Sequence, residues 1–138
     1  AYPGKKPKKA LPVKKTRFIM ARDSEGRLLL EKRPGSGIWG GLWCFPEAAE
    51  DLDIENWCLD RFGDSPSSQQ SWPGFRHTFS HYHLDIDPLL VDVESAQQAV
   101  MEADRQLWYN VRQPPQIGLA APVAQLLTQL ALMDPVKE

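Results

Sequence analysis

Cysteine is scarce in this 138-residue chain, and long apolar runs are absent from it. Its two cysteines, Cys44 and Cys58, are too few for the four ligands of an iron–sulfur cluster or for a disulfide framework, so we expect two buried thiols. No apolar stretch approaches the roughly 20 residues that span a membrane, and the start lacks the order of a secretory signal peptide. We therefore expect a soluble, intracellular protein with no membrane partner. An apolar fraction of 42% and five tryptophans suffice for the core of one domain.

Acidic residues are missing from the first 17 positions, which carry seven basic side chains. The remainder has nine basic and eighteen acidic side chains, so the formal net charge of −2 conceals a body at −9. Prolines 3, 7 and 12 disfavour a helix or a central strand, and we predict a basic interdomain linker over residues 1–16 and one domain over residues 17–138. The candidate phosphate contacts in the linker are Lys5, Lys6, Lys8 and Lys9. A solvated tail that only aids solubility is the alternative. Because the chain begins inside this linker and without Met, we expect a longer parent protein.

The hydrophobic periodicity predicts a mixed α/β domain. Residues 17–22 and 27–33 flank a turn at 23–26 and should pair antiparallel. A helix is expected over 54–62, ended by Gly63, and a closing helix over 121–132. The other predictions are a loop over 65–74, a long strand or two strands over 75–87 with a loop at 79–81, a strand over 88–93, a short helix or turn over 96–104 and a β-like segment over 107–110.

Residues 75–84 read Phe-Arg-His-Thr-Phe-Ser-His-Tyr-His-Leu and combine an aromatic wedge, a hydroxyl and three imidazoles. This mixture suits the reading of a nucleobase. On a continuous strand, His77, Phe79, His81 and His83 would share one face. A zinc site is an alternative, but on a strand the third ligand would lie about 13 Å from the first. A structural role for the imidazoles stays open as well.

The block His77-Thr-Phe-Ser-His81, together with residues 39–46, 107–109 and 118–122, closely resembles the C-terminal domain of the adenine DNA glycosylase (MutY) family. The resemblance covers nearly the whole chain. It implies a Nudix-like fold, in which a mixed β-sheet is sandwiched between helices. It also implies that this domain holds 8-oxoguanine while the opposite adenine is flipped into an N-terminal catalytic domain, absent from this chain, which carries the glycosidase chemistry and a 4Fe-4S cluster. The implied partners are that domain and duplex DNA containing 8-oxoguanine:adenine, in the cytoplasm of a bacterium.

The resemblance and the chemistry of the side chains assign roles within the loop. Ser80 is the expected base reader because its hydroxyl can accept from the N7–H of 8-oxoguanine, and Phe79 is the neighbouring wedge. His81 is expected to fix the loop or to meet the DNA backbone, and His77 and Arg76 to support it or contact phosphate. No catalytic residue, metal site or cofactor is expected in this chain.

The Nudix signature itself is incomplete. Gly41 and Glu47 fit its opening spacing. Its arginine and first glutamate fall on Glu55 and Asn56, and its paired glutamates fall on Leu59 and Asp60. An active nucleoside diphosphate hydrolase, the alternative enzyme, would need other carboxylates to converge on magnesium, namely Glu50, Asp51 or Asp53. The competing interpretation makes those three a solvated cluster in the first turn of the helix.

Two alternatives concern the Gly-rich segment 34–41. Gly35-Ser-Gly37 and Gly40-Gly41 could cradle a phosphate through backbone amides, although the segment lacks a P-loop ending. Trp39 and Trp43 are expected to pack in the core or against another domain, with base stacking as the alternative. A protein-interaction module that uses the linker and this Trp-rich loop is the third class of function. An exposed loop at 79–81 on the side where the linker arrives would favour DNA reading, whereas its burial would favour scaffolding.

Overall fold

A computed structural model describes residues 11–94 and 105–133 of the chain. The elements are β1 (Val13–Arg22), β2 (Leu28–Lys32), β3 (Trp43–Cys44), β4 (Glu47–Ala48), α1 (Ile54–Phe62), β5 (Ser68–Ser71), β6 (Phe75–Thr78), β7 (His83–Asp92), β8 (Gln106–Tyr109) and α2 (Ala121–Met133). Neither of these two helices has the length and apolar character that a membrane crossing requires. The four linker lysines and the predicted helix over 96–104 lie outside the described residues.

One mixed sheet forms the middle of the domain. Its strands follow the order β3-β2-β1-β7-β5, while β4 pairs with β1, β6 with β7 and β8 with β2. The central pair, β1 and β7, is parallel over ten residues, from Val13 opposite His83 to Arg22 opposite Asp92. The predicted hairpin of β1 and β2 is confirmed, with Arg22 opposite Leu28 across the turn. Because β1 and β7 are parallel, their N-terminal ends meet at one edge of the sheet.

Alternating side chains of the central strands divide the core into two layers. Phe18 and Met20 of β1 pack with α2, through a cluster that includes Val123 and Leu126. Ile19 and Ala21 of β1 face the opposite side, where the cluster includes Ile54, Cys58 and Phe62 of α1. The helices therefore cover opposite faces of the sheet, which confirms the predicted α/β sandwich. Both cysteines are buried free thiols, as expected.

Helix α1 has the predicted bounds because both of its ends are chemically marked. Asp53 precedes it in extended conformation, and its carboxylate accepts hydrogen bonds from the backbone amides of Glu55 and Asn56. Gly63 ends it at φ 80°, and the Gly63 amide donates to the carbonyl of Leu59. Burial of Ile54, Cys58 and Phe62 along one face fixes the helix on the sheet.

Strand boundaries differ from the sequence-based prediction in three places. The predicted loop over 65–74 contains β5, an exposed strand whose pairing with β7 supplies the order that its polar residues do not predict. Strand β1 begins at Val13, within the predicted linker, because residues 13–16 pair with residues 83–86. Strand β7 runs continuously from His83 to Asp92 instead of breaking before Pro88. Along β7, residues 83–86 pair with β6 and residues 89–92 pair with β5. Pro88 lies between these two paired stretches, where its carbonyl accepts a hydrogen bond from the Trp72 amide. A proline is tolerated there because no strand partner requires its missing N–H.

Candidate nucleic-acid interface

The segment singled out in the sequence folds as a hairpin. Strand β6 pairs antiparallel with the start of β7, with Thr78 opposite His83. The backbone amide of Phe79 donates to the carbonyl of Tyr82 at 2.8 Å, which leaves Ser80 and His81 at the exposed tip. We call residues 79–82 the tip loop. The predicted loop at 79–81 is confirmed, and the alternative of one continuous strand, with four alternating residues on one face, does not apply. The side chains of Thr78 and His83 lie together instead, with 2.9 Å between Oγ1 and Nδ1.

Phe79 is anchored from below by other rings and is half-buried. Its ring centroid lies 4.7 Å from that of His77, 4.8 Å from that of Tyr82 and 5.3 Å from that of Trp39. We call these four residues the aromatic support. The predicted packing role of Trp39 and Trp43 is confirmed, since both are half-buried against the core. The sequence-based candidates Phe79 and His77 thus come together, and Ser80 and His81 project beyond them.

Trp39 reaches this position through the Gly-rich loop between β2 and β3. A Cβ atom at Gly40 would lie 2.5 Å from the carbonyl oxygen of Gly35, so only glycine permits this close approach. The amide of Gly41 closes the loop on the carbonyl of Pro34 at 3.1 Å. Trp39 itself has φ 55°, a left-handed conformation that costs a bulky residue about 1–2 kcal/mol. The packing of its ring offsets this strain.

The N-terminal segment joins the domain beside the tip loop. The carbonyl of Pro12 accepts a 2.9 Å hydrogen bond from the amide of His83, one residue after the loop. The ammonium group of Lys14 lies 4.5 Å from the centroid of the Tyr82 ring, a cation–π contact. The described chain therefore leads from the basic segment directly onto the exposed hairpin. This is the arrangement that the sequence analysis set as favouring DNA reading over a buried scaffold.

Arg76 occupies the flank of the hairpin and is engaged there by a carboxylate. Its Nε and Nη2 donate to the two carboxylate oxygens of Asp85 on β7, at 2.7 and 3.1 Å. These hydrogen bonds raise the pKa of the arginine and lower the pKa of Asp85, to which the charges of Arg76 and Lys15 also contribute. A phosphate contact by Arg76 would therefore have to compete with Asp85.

The residues at the positions of the Nudix signature lie on both faces of the sheet, with Glu47 on the face of Phe18 and the later positions on α1. Glu47 sits opposite Phe18 on β1, and its carboxylate accepts from Arg33 at 2.5 Å and from the Thr16 hydroxyl at 3.3 Å. The box positions Leu59 and Asp60 are exposed on α1. Across residues 11–94 and 105–133, no three His, Cys, Asp or Glu side chains converge in a way that would hold a metal ion.

The three carboxylates proposed as substitute metal ligands take other positions. Asp53 is engaged as the helix cap, where its second carboxylate oxygen also accepts a hydrogen bond from the side-chain Nδ2 of Asn56 at 3.0 Å. Glu50 and Asp51 are exposed in the turn before the helix. Their arrangement matches the solvated first-turn cluster of the competing interpretation.

The fold and the sequence of this domain match a known family. The sequence pattern of the NUDIX domain matches residues 17–129. This chain belongs to the Nudix domain family. Over 126 residues this Nudix domain is 32% identical to the adenine DNA glycosylase of Buchnera aphidicola subsp. Acyrthosiphon pisum, a match that covers 91% of the chain and 35% of the glycosylase. The chain thus spans about a third of the length of that relative.

Two solved structures share the Nudix fold of the chain. One is the C-terminal domain of mouse MUTYH in complex with human PCNA, with a TM-score of 0.66 and 16% identity over 89% of this chain and 90% of the mouse chain. The other is Shewanella oneidensis NrtR in complex with a 27mer DNA, with a TM-score of 0.66 and 15% identity over 86% of this chain and 60% of NrtR. The resemblance to the C-terminal domain of adenine DNA glycosylases, inferred from the motifs, is confirmed.

Three residues of the site were not predicted as parts of it. Lys14 was counted with the linker, Tyr82 was passed over between two histidines, and Trp39 was assigned to general packing. Their contacts join positions tens of residues apart, and no local periodicity reports such distances. The hint was a surplus of aromatic residues near Gly74, together with the three glycines that follow Gly35 around Trp39.

Proposed function

We propose that this Nudix domain reads 8-oxoguanine opposite adenine through its tip loop, while a catalytic domain joined to it removes the mispaired adenine. The observation that carries the proposal is the exposed Ser80 at the end of a hairpin whose base is held by the aromatic support. A hydroxyl at the end of a hairpin that is supported in this way can enter a DNA groove or an opened base pair while the sheet stays folded. Similarity to an adenine DNA glycosylase over 91% of the chain supports the same role.

The distribution of charge favours an approach of DNA from the hairpin side. Residues 1–22, 32–46 and 65–84 contain no aspartate or glutamate. These three segments supply the start of β1, the Gly-rich loop and the hairpin up to Leu84, which meet around Phe79. Residues 47–64, which include α1, carry seven carboxylates against one arginine. The carboxylates of residues 47–64 therefore repel phosphate from the α1 face. The three segments around the tip loop present no acidic side chain to it.

The Gly-rich loop adds candidate donors beside the hairpin. The amides of Gly35, Ser36 and Gly37 donate to no acceptor in residues 11–94 and 105–133, and all three residues are exposed. Successive free amides in a loop favour the binding of an anion. In this proposal they contact the DNA backbone next to the lesion, and Lys5, Lys6, Lys8 and Lys9 contact phosphates farther along the duplex.

The selectivity of the reading follows from the chemistry at N7. 8-Oxoguanine presents an N7–H donor, where guanine presents an acceptor, and a serine hydroxyl can accept from that donor. A serine hydroxyl can also rotate and donate to the N7 of normal guanine, so discrimination requires that the neighbours of Ser80 restrict this rotation. We therefore assign to Ser80 the discrimination of a single hydrogen bond, about 0.5–1.5 kcal/mol, or roughly 2- to 12-fold in affinity.

The test compares Ser80→Ala with Ser65→Ala, a matched loss of an exposed hydroxyl outside the hairpin. Binding to duplexes with 8-oxoguanine:adenine and guanine:adenine is measured by fluorescence anisotropy. Ser80→Ala should narrow the ratio of the two affinities by roughly 2- to 12-fold without changing the melting temperature, and Ser65→Ala should leave the ratio unchanged. In a glycosylase that carries this chain as its C-terminal part, Ser80→Ala should narrow the same preference in single-turnover excision. An unchanged ratio in Ser80→Ala would exclude Ser80 as the reader.

A further inference from the structure

Trp39 is the one non-glycine residue with positive φ in the described parts of the chain, 11–94 and 105–133. A tryptophan in a left-handed conformation is unfavourable, and a glycine at the same position would remove the strain. Such outliers persist where the surrounding structure requires the side chain, and they cluster at functional sites. The question is therefore what the indole ring holds in place.

The indole ring joins the core of the domain to the lower side of the hairpin. Towards the core it meets Phe18, with 6.4 Å between ring centroids at an edge-on angle of 65°, and Phe18 is fully buried. Towards the hairpin it meets Phe79 at 5.3 Å and His77 at 5.6 Å. Phe18 lies on the central strand and Phe79 opens the tip loop. Trp39 thus connects the buried central strand to the loop that carries Ser80.

The tip loop has few other attachments. Its backbone is closed by the hydrogen bond from the Phe79 amide to the Tyr82 carbonyl, and Ser80 and His81 are exposed. Tyr82 is held by Phe79 and by Lys14, both at the surface end of the support. The direction in which Ser80 points therefore depends on the position of the Phe79 ring, which rests on Trp39.

We propose that Trp39 is a positioning residue for lesion reading. It contacts no base; it fixes Phe79 and thereby the orientation of the Ser80 hydroxyl, and the strain at its backbone is retained because the ring is needed there. The inference rests on the proposed function of the tip loop and adds a specificity determinant some 40 residues upstream of it in the sequence.

The experiment uses the whole chain with Trp39→Ala and Trp39→Phe, and Trp43→Phe as the matched control. Trp43 also packs half-buried on the core, on the other side of Gly40 and Gly41, and forms no ring contact with the hairpin in the described residues. Two quantities are measured: hydrogen-exchange protection of the Phe79 amide in free protein, and the ratio of affinities for 8-oxoguanine:adenine and guanine:adenine duplexes. Melting temperatures and the salt dependence of DNA binding are recorded beside them.

Trp39→Ala should lower protection of the Phe79 amide by about tenfold, the value of two lost aromatic contacts. The affinity ratio should fall to that of Ser80→Ala, while the salt slope set by the basic residues stays unchanged. Trp39→Phe should recover most of both quantities, because a smaller ring still reaches Phe79. Trp43→Phe should lower the melting temperature and leave protection and ratio alone.

Three results overturn the inference, and they are distinguishable. If Trp39→Ala keeps the Phe79 amide protected, the ring does not position the loop, whatever the tip loop reads. If protection is lost but the unaltered chain already binds both duplexes equally, the hairpin is held by Trp39 but does not read the lesion, and the proposed function fails with the inference. Equal losses of the ratio in Trp39→Ala and Trp43→Phe would indicate general destabilisation and would also contradict a positioning role.

Discussion

Ser80 and Phe79 are neighbours in the chain and stand in opposite environments. Ser80 is exposed, whereas the Phe79 ring is enclosed by His77, Tyr82 and Trp39. The residue types alone predicted Phe79 as a wedge and Ser80 as the base reader. The difference in burial now separates a supporting ring from an exposed hydroxyl. Because three side chains hold the Phe79 ring, this ring supports Ser80 in one position. Its use as a wedge stays a prediction, because intercalation would have to preserve or replace those contacts.

The buried thiol of Cys44 predicts a loss of stability in alkali. Burial raises the pKa of Cys44 to about 12, with Glu47 adding to the shift and Arg33 opposing it, and burial raises that of Cys58 to about 11. An unfolded thiol titrates near pH 8.5, so the stabilising contribution is complete below that pH and is lost as the pH rises through 11–12. The free energy of unfolding in urea should therefore fall between pH 8 and pH 10.5.

The control for this prediction is Cys44→Ala, which removes the thiol with the more strongly raised pKa. Its free energy of unfolding should fall less steeply over the same pH range. Burial also raises the pKa of Tyr109, so part of the decline should remain in the variant. An identical decline in both proteins would show that the pKa of Cys44 is the same in the folded and unfolded states, and that another group controls alkaline unfolding.

At the scale of elements, helix α1 shows how a single cap sets a boundary. Asp53→Ala removes the acceptor for the Glu55 and Asn56 amides and should lower the free energy of unfolding by about 1 kcal/mol. Asp51→Ala, an exposed carboxylate in the preceding turn, is the control and should cost little. The free energies of unfolding of both variants are measured by urea denaturation, and a clear loss is expected only for Asp53→Ala. Stabilisation by Mg²⁺ that disappears in Asp53→Ala would mean that Asp53 is a metal ligand after all.

The same scale shows which features the sequence makes predictable. Helix α1 and the first hairpin were predicted because their caps, turn residues and periodicity are local. Strand β5 was missed because its four residues, all Ser or Gln, are exposed at the sheet edge and owe their order to β7. The early start of β1 was missed for the same reason, since a partner 70 residues away orders Val13–Thr16. The tip loop was predictable from its motif, whereas the aromatic support depends on contacts across the sheet.

At the scale of the whole molecule, the separation of charge predicts how the basic segment contributes to DNA binding. Deletion should stop at residue 10, because Val13–Lys15 belong to β1. Removal of residues 1–10 eliminates Lys5, Lys6, Lys8 and Lys9 and should reduce the slope of log K against log salt by up to about 3.6, at about 0.9 for each contact. This slope is measured from binding isotherms at salt concentrations between about 50 and 200 mM, where phosphate contacts strongly affect the affinity. An unchanged slope would identify the segment as a solvated tail.

The whole domain is also expected to lack hydrolase activity. Glu47 is held by Arg33, and the remaining box positions are Asn56, Leu59 and Asp60, so the carboxylate cage of a Nudix hydrolase is incomplete. Purified chain incubated with Mg²⁺ and 8-oxo-dGTP or dATP should release no nucleoside monophosphate or pyrophosphate. An active Nudix hydrolase assayed in parallel supplies the positive control. Robust magnesium-dependent turnover that survives Glu47→Gln would point to a metal site elsewhere in the chain.

The parallel pairing of β1 with β7 has a consequence for synthesis on the ribosome. Strand β1 precedes the other described strands of this domain, yet its main partner follows 70 residues later, from His83 opposite Val13. At about 5–20 residues per second the wait is roughly 4–14 s, during which the apolar run Phe18–Ala21 has no permanent cover. Lys14, Lys15 and Arg17 stand directly before that run, where like charges keep two nascent chains from pairing. We therefore expect these three basic residues to limit aggregation before the domain has folded.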